Sequence, residues 1–376
     1  MRITEGSISR LMMCMALTLV LLVAFGAMIA WAGSIQVDVH DGSCVTGSGQ
    51  ANPYGVVYCS IQDAIDDATT GDTINVAVGR YTETVVIDKG LTLLGAQADV
   101  EPLEGGRPGG ESTIADPAPS FSGHIVIVNA DDVNVNGFEI IDFYSGIDVR
   151  GPVDGIRQNV ALSYNYLHST YAWQGITVGH DPDAGAASTG TGHFKDLVVS
   201  HNRVKAQGTD ISKDVNTQIG FTNGFDTVTY TNVSILSNDV QNPDDGYCIF
   251  AGGDPNDFVF QSPVIAGNHI YSCGTGINTY NLIDAQVSEN LFEYCGYAGA
   301  QINVRGGTVS TNTFQHIGPS PYWPSGDTYY PSYGLTLWGD AYGPVGSHDV
   351  TVTANKFYYN SFTPEQENGA RALPGC

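Results

Sequence analysis

The sequence predicts an all-β chain, a single-stranded right-handed parallel β-helix (a solenoid) opened by an amphipathic helix cap. A recurring phrase is the first reason. An Asn with an apolar residue three before it and another two after it stands at Asn136, Asn165, Asn202, Asn238, Asn268, Asn290, Asn312 and Asn355, as in "LSYNYL", "VSENLF" and "VTANKF". The spacing is the second: successive gaps are 29, 37, 36, 30, 22, 22 and 43 residues, so 22 is the minimal unit and the longer gaps carry insertions beside a constant frame. The third is the alternation inside each unit. "VTVTANKF" and "GITV" have period two, and Gly and Asn separate the short runs, which describes strands and turns without helices. A 22-residue all-β unit makes one coil of a solenoid, stacked on the next at about 4.8 Å, and parallel crossovers are overwhelmingly right-handed. About ten coils at that spacing make a rod roughly 45 to 50 Å long.

The elements follow in chain order. Arg2 and Arg10 precede an uncharged run from Leu11 to Ala32, and Ala30-Trp31-Ala32 before Gly33 has the small-x-small form of a signal-peptidase site. Residues 1–32 are read as a secretory signal, and the run is also long enough for an uncleaved anchor. Either reading exports the remainder, to the medium or the cell surface. Residues 33–59 form a segment that a Cys44–Cys59 disulfide is expected to close. In "SIQDAIDDATTGDTI", Ser60 is the N-cap, and Ile61, Ala64, Ile65 and Ala68 share one helical face that would cover the first coil. "TINVAVG", "YTETVVIDK" and "LTLLGA" then supply that coil. "EPLEGGRPGGESTIADPAP", 101–119, is a Pro- and Gly-rich excursion, the solenoid as a whole is expected over 60–362, and 363–376 is a polar tail.

The Asn column is expected at a sharp turn, where Asn tolerates left-handed backbone angles and its amide can bond the equivalent Asn one coil away. Cys273 and Cys295, 22 residues apart, fall at equivalent positions and form either a disulfide or a stacked thiol pair. No CxxC pair supports a structural zinc site.

The chain has 376 residues, 42% hydrophobic and only 14% charged, with 46 Gly and 20 Tyr, which suits a large β-protein and excludes disorder. Fourteen Lys and Arg against 39 Asp and Glu leave a formal charge of -25. Such a surface repels nucleic acid and anionic membrane, so no nucleic acid partner is expected, and no membrane contact beyond an N-terminal anchor.

The stretch "YCSIQDAIDDATTGDTINVAVGRYTETVVIDKGLTLLGA", Tyr58 to Ala96, resembles the opening of the right-handed parallel β-helix proteins of the pectin lyase-like superfamily. The resemblance covers essentially the whole chain after residue 32. It implies the fold, and it implies an extracellular polysaccharide partner bound in a groove between one strand face and the loops inserted beside it. It does not choose between lyase, hydrolase and non-catalytic roles.

Candidate residues lie in and beside the insertions. Trp173, Trp323, Tyr329, Tyr330 and Trp338 are candidate sugar-stacking rings, because aromatic faces bind sugars at little entropic cost; the alternative is that they pack the loops onto the rod. Asp244 and Asp245, with Asp226 in the neighbouring coil, are the candidate catalytic carboxylates, and Asp254 and Asp257 are candidate Ca2+ ligands. The Asp244-Asp245 pair followed by Cys248 resembles the polygalacturonase family. The chain departs from that family at "TNGFD", at Thr275-Gly276 and at "NVRGG", which puts that activity in doubt. A lyase base would come from Arg150, Arg157, Lys195, Arg203, Lys205 or Arg305, while His180, His193 and His201 lack metal-ligand spacing. Two classes of function remain: an enzyme of the lyase or hydrolase type that binds and cleaves extracellular polysaccharide, and a non-catalytic, structural or adhesin-like surface rod that binds glycans or simply projects from the envelope.

Overall fold

The computed structural model describes residues 32–118, 123–169, 172–180, 188–206, 217–222, 224–242, 246–252, 257–318, 333–337 and 346–358. Within them the backbone is a single-stranded right-handed parallel β-helix. Each coil contributes a short first strand, such as His269–Tyr271, and a second and third strand, which in the most regular coils merge into one bent strand, Thr275–Ser288. First strands from Gly79–Thr82 to Lys356–Tyr358 form a ten-stranded parallel sheet, and the second and third strands form the other, larger sheet.

Alternation and register together build the core. Along the first strands, Ile140, Leu167, Val204, Val240, Ile270, Phe292 and Phe314 pair in succession. All seven are fully buried. Phe292 stacks on Phe314 at 4.6 Å between ring centroids, and Phe314 on Phe357 at 5.0 Å. Val135, Leu162, Val199, Ile235, Ile265, Val287 and Val309 form the matching column of the third strands. These columns are why the period-two pattern was legible.

The Asn ladder has seven members, Asn165, Asn202, Asn238, Asn268, Asn290, Asn312 and Asn355, each donating its amide to the next at 2.9–3.1 Å. Each amide also donates to a third-strand carbonyl of the preceding coil, as Asn290 does to Ile265 at 2.9 Å. Asn136, expected as the eighth, lies two residues out of register, since Asn136 pairs with Ser163 and Phe138 takes the ladder position, giving its N–H to Asn165 Oδ1. Asn136 bonds Asp99 instead. Strand side chains repeat every two residues, so a two-residue slip preserves the apolar pattern that located the motif. The left-handed angle also sits elsewhere than expected: the residue before each ladder Asn carries it, at Tyr164, His201, Ser237, Gly267, Glu289, Thr311 and Ala354, with φ between 53° and 68°. The Asn is selected for its amide.

The helix α1, Ile61–Asp67, has the expected Ser60 N-cap, with Asp63 N–H donating to Ser60 Oγ, and it buries Ile61, Ala64 and Ile65. The Glu83 carboxylate accepts from the Ile61 and Gln62 backbone N–H groups at 2.9 Å, satisfying two more of the donors that a helix start leaves open. Cys44 and Cys59 are disulfide-bonded, with Cα atoms 5.1 Å apart. Cys273 and Cys295 do stack in adjacent coils, but Cys273 bonds Cys248 and Cys295 is a buried free thiol. The register explains the difference. Cys248 falls opposite Gly276 (Tyr247 pairs with Thr275, Ile249 with Ile277), at a position where a side chain enters the core: a Cβ on Gly276 would meet Phe292 and Ile270.

Candidate functional site

The outer face of the second strands is the surface that the insertions frame, because the long gaps in the sequence fall just before and just after these strands. Ile147, Ile176, Ile219, Ile249 and Ile277 form one inward column, so the residues one further along turn away from the core. Asp148, Thr177, Gly220, Phe250, Asn278, Gln301 and Thr336 make up this outward column. A parallel column, three residues earlier along each strand, runs through Ser145, Gln174, Thr217, Tyr247, Thr275, Ala298 and Tyr333, with His124 paired to Ser145 at its start.

Two kinds of group meet on this face. Apart from Asp148 at one end, its floor is neutral and polar: Ser145, Thr177, Asn278, Gln301 and Thr336 are each more than nine-tenths buried. Ser145 Oγ, Asn278 Oδ1 and Thr336 Oγ1 have no hydrogen-bond partner among the described residues. Buried polar atoms without partners are costly, so they mark capacity that the fold leaves unspent. Above and beside the floor stand half-buried rings. Tyr144 stacks on Trp173 with centroids 6.1 Å apart, Tyr247 stacks on Phe250 at 5.1 Å, and Phe250 meets Tyr280 edge-on at 6.2 Å. At the N-terminal end, fully buried Asp148 is held by Arg150 Nε at 2.7 Å and lies 3.2 Å from His124 Nδ1.

The outer face of the first strands is chemically different. Arg203 contacts Glu104 at 3.2 Å and Asp239 at 3.3 Å, and Lys205 also reaches Glu104, at 3.1 Å. His269 lies between Asp239 at 3.4 Å and Glu293 at 2.7 Å. The hydrogen bond to Asp239, helped by Glu293, holds the His269 imidazole above its ordinary pKa. Glu139 bonds His168 at 2.9 Å and Thr113 at 2.7 Å, and the His168 bond first of all holds its carboxyl below the usual range. Acids and bases here satisfy one another, and Glu104 of the 101–119 excursion closes over them, so this face reads as an electrostatic seam that holds coils together.

Three of the predicted site residues, Trp173, Asp226 and Asp257, lie among the described ones. Trp173 sits at the edge of the second-strand face, on Tyr144. Asp226 is exposed on the strand Phe225–Thr231, accepting from the Gly190 N–H at 3.0 Å, and Asp257 gives its backbone carbonyl to Val228 one coil on. Asp244, Asp245, Asp254, Trp323, Tyr329, Tyr330 and Trp338 lie outside the described residues. Among the described residues no group of three or more His, Cys, Asp or Glu is arranged to hold a metal ion. Every candidate lyase base is engaged: Arg150 with Asp148, Arg157 with Asp131, Lys195 with Asp196, Arg203 and Lys205 with Glu104, and Arg305 with Asn281. His193 bonds Thr231 and His201 bonds Glu101, so these two histidines are engaged separately. The sequence reading missed Tyr247, Phe250, Asn278 and Gln301. Their signal was a break in the period-two alternation, where two consecutive residues, Cys248 and Ile249 in one coil and Gly276 and Ile277 in the next, face the core.

No protein-family model matches the chain, and no curated protein matches it. Among solved structures it is similar to a pectin methylesterase from Aspergillus niger, at 13% identity over 89% of this chain and 92% of that chain, with a TM-score of 0.39. It is also similar to the pectate lyase Pel9A (12% identity, 92% and 82% of the two chains, TM-score 0.42). A GH136 lacto-N-biosidase from Eubacterium ramulus is a third (9%, 87% and 68%, TM-score 0.41). Register and topology, independently of these likenesses, give the chain the right-handed parallel β-helix fold.

Proposed function

We propose that the protein is an exported rod that binds extracellular polysaccharide along the outer face of its second strands. The observation that carries the reading is the succession of half-buried rings, Tyr144, Trp173, Tyr247, Phe250 and Tyr280, set over a polar floor with unspent hydrogen-bonding capacity. Sugars present apolar C–H faces and hydroxyl edges, and this surface offers partners for both. Trp323, Tyr329, Tyr330 and Trp338 bracket the second strand Tyr333–Leu337 in sequence. The Cys44–Cys59 and Cys248–Cys273 disulfides support export to an oxidising compartment. No helix among the described residues is long and apolar enough to cross a membrane.

Binding takes precedence over cleavage in this reading. Asp148 is the one carboxylate on the described part of the face, and Arg150 and His124 already occupy it, whereas hydrolysis uses two working carboxylates. The test is incubation of the whole protein with a polysaccharide panel. Retention by affinity electrophoresis, without new reducing ends or unsaturated uronates, is the expected result. Product formation would restore the enzyme reading, with Asp226, Asp244 and Asp245 as the first residues to replace.

A further inference from the structure

Resting on the glycan-binding reading, we infer the charge class of the ligand: the second-strand face takes an uncharged glycan chain in preference to a uronate or sulfated one. An acidic sugar needs charge-assisted donors or a bridging cation. The described floor offers neither. Ser145, Gln174, Thr177, Asn278, Gln301 and Thr336 are all neutral. The one Arg or Lys on the described part of the face, Arg150, donates to the fully buried Asp148 at 2.7 Å, and Arg305 beyond its edge donates to Asn281 Oδ1 at 2.5 Å. No metal-holding group occurs among the described residues, and a formal charge of -25 on the chain repels a polyanion over most of the surface.

What the face does offer suits hydroxyls and C–H faces. Ser145 Oγ, Asn278 Oδ1 and Thr336 Oγ1 are buried and unpartnered, and a sugar hydroxyl can both donate and accept. Tyr247 and Phe250 supply apolar surface between them, with centroids 5.1 Å apart. Eight paired positions from His124 to Tyr333, at about 4.8 Å per coil, make the face roughly 34 Å long, a length for a polymer segment and not for a single sugar.

The experiment is affinity electrophoresis of the full chain in gels containing a neutral β-glucan, a galactomannan, polygalacturonate with and without calcium chloride, or chitosan. A neutral polymer should retard the protein, and its dissociation constant should change by less than about threefold between about 0.02 and 0.5 M salt, since no ion pair is involved. Tyr247→Ala and Phe250→Ala should each weaken that retardation by about fivefold, the equivalent of one lost aromatic contact, with an unchanged melting transition. If either variant fails to fold, Trp173→Ala provides the same comparison. Retardation by polygalacturonate or chitosan alone, or a steep salt dependence, overturns the charge assignment while leaving glycan binding intact. Neutral binding that none of these substitutions weakens overturns the assignment to this face. If no polymer retards the protein, the glycan-binding reading itself fails, and the inference with it.

Discussion

The Oδ1 of Asn312 accepts two hydrogen bonds from Asn290, one from its side-chain amide at 2.9 Å and one from its backbone N–H at 3.0 Å. The same double bond repeats down the ladder, so each Asn satisfies the backbone of one neighbour while its own N–H is satisfied by the other. Removing one amide therefore orphans groups in two coils.

Replacing Asn290 by Leu should cost about 1 to 3 kcal/mol in a denaturant melt, because buried donors and a carbonyl of Ile265 lose their partner. Asn355→Leu should cost less. Its amide is only partly buried, and water can replace what is lost. Equal costs at the two positions would show that the ladder is not the source of the stability.

Gly276→Ala should destabilise by about 1 to 3 kcal/mol through overpacking, since the new methyl would run into the Gly299 carbonyl and the Phe292 ring. Gly42→Ala, where nothing lies within reach of the added carbon, provides the control. Thermal melts of the two variants test the contrast.

Cys295 should resist alkylation in the folded protein. Its thiol is fully buried, and burial pushes its pKa up to about 12, so almost no thiolate exists near neutrality. Mass spectrometry after iodoacetamide treatment should find Cys295 modified only once denaturant is added. Reducing the Cys248–Cys273 bridge, which closes a 25-residue separation, should lower stability by about 3 kcal/mol.

The seam on the first strands predicts opposite pH dependences for two substitutions. His269 has a folded pKa raised above its ordinary 6.5 by Asp239 and Glu293, so its contribution is complete below that value and is lost as pH rises through the folded pKa. His269→Gln should therefore be most destabilising at mildly acidic pH and nearly neutral in alkaline solution. Glu139 has a folded pKa lowered below 4.5, chiefly by His168, so its contribution is present above that value and is lost as pH falls through the folded pKa. The effect of Glu139→Gln should fade in strong acid. Denaturant melts across pH that show no crossing of the two effects would rule out the seam as a stabilising network.

If Trp338 extends the line of rings, Trp338→Ala should weaken retention on whichever polymer binds by about 1 kcal/mol and leave the melt unchanged. A large loss of stability instead would show that the ring packs the insertion onto the rod, the alternative its position in the sequence also allowed.

The sequence by itself determined the solenoid, its 22-residue coil, the capped helix at Ile61–Asp67 and the Cys44–Cys59 bridge, because each depends on residues near one another or on a pattern that repeats at a fixed period. Repetition exposes the inward columns directly, since stacking places like residues over like. It could not place Asn136, because a period of two is blind to a two-residue slip, and only pairing with Ser163 settled the register. Nor could it pair Cys248 with Cys273, or put Phe250 beside Tyr247 and Tyr280 on one face. Those relationships depend on the pairing of the second strands and on insertions of unequal length, which change the sequence spacing between residues that stand in one outward column. The tertiary structure decided them, because side chains on the outer face are aligned by hydrogen-bond register between coils, and that register is a property of the stacked chain.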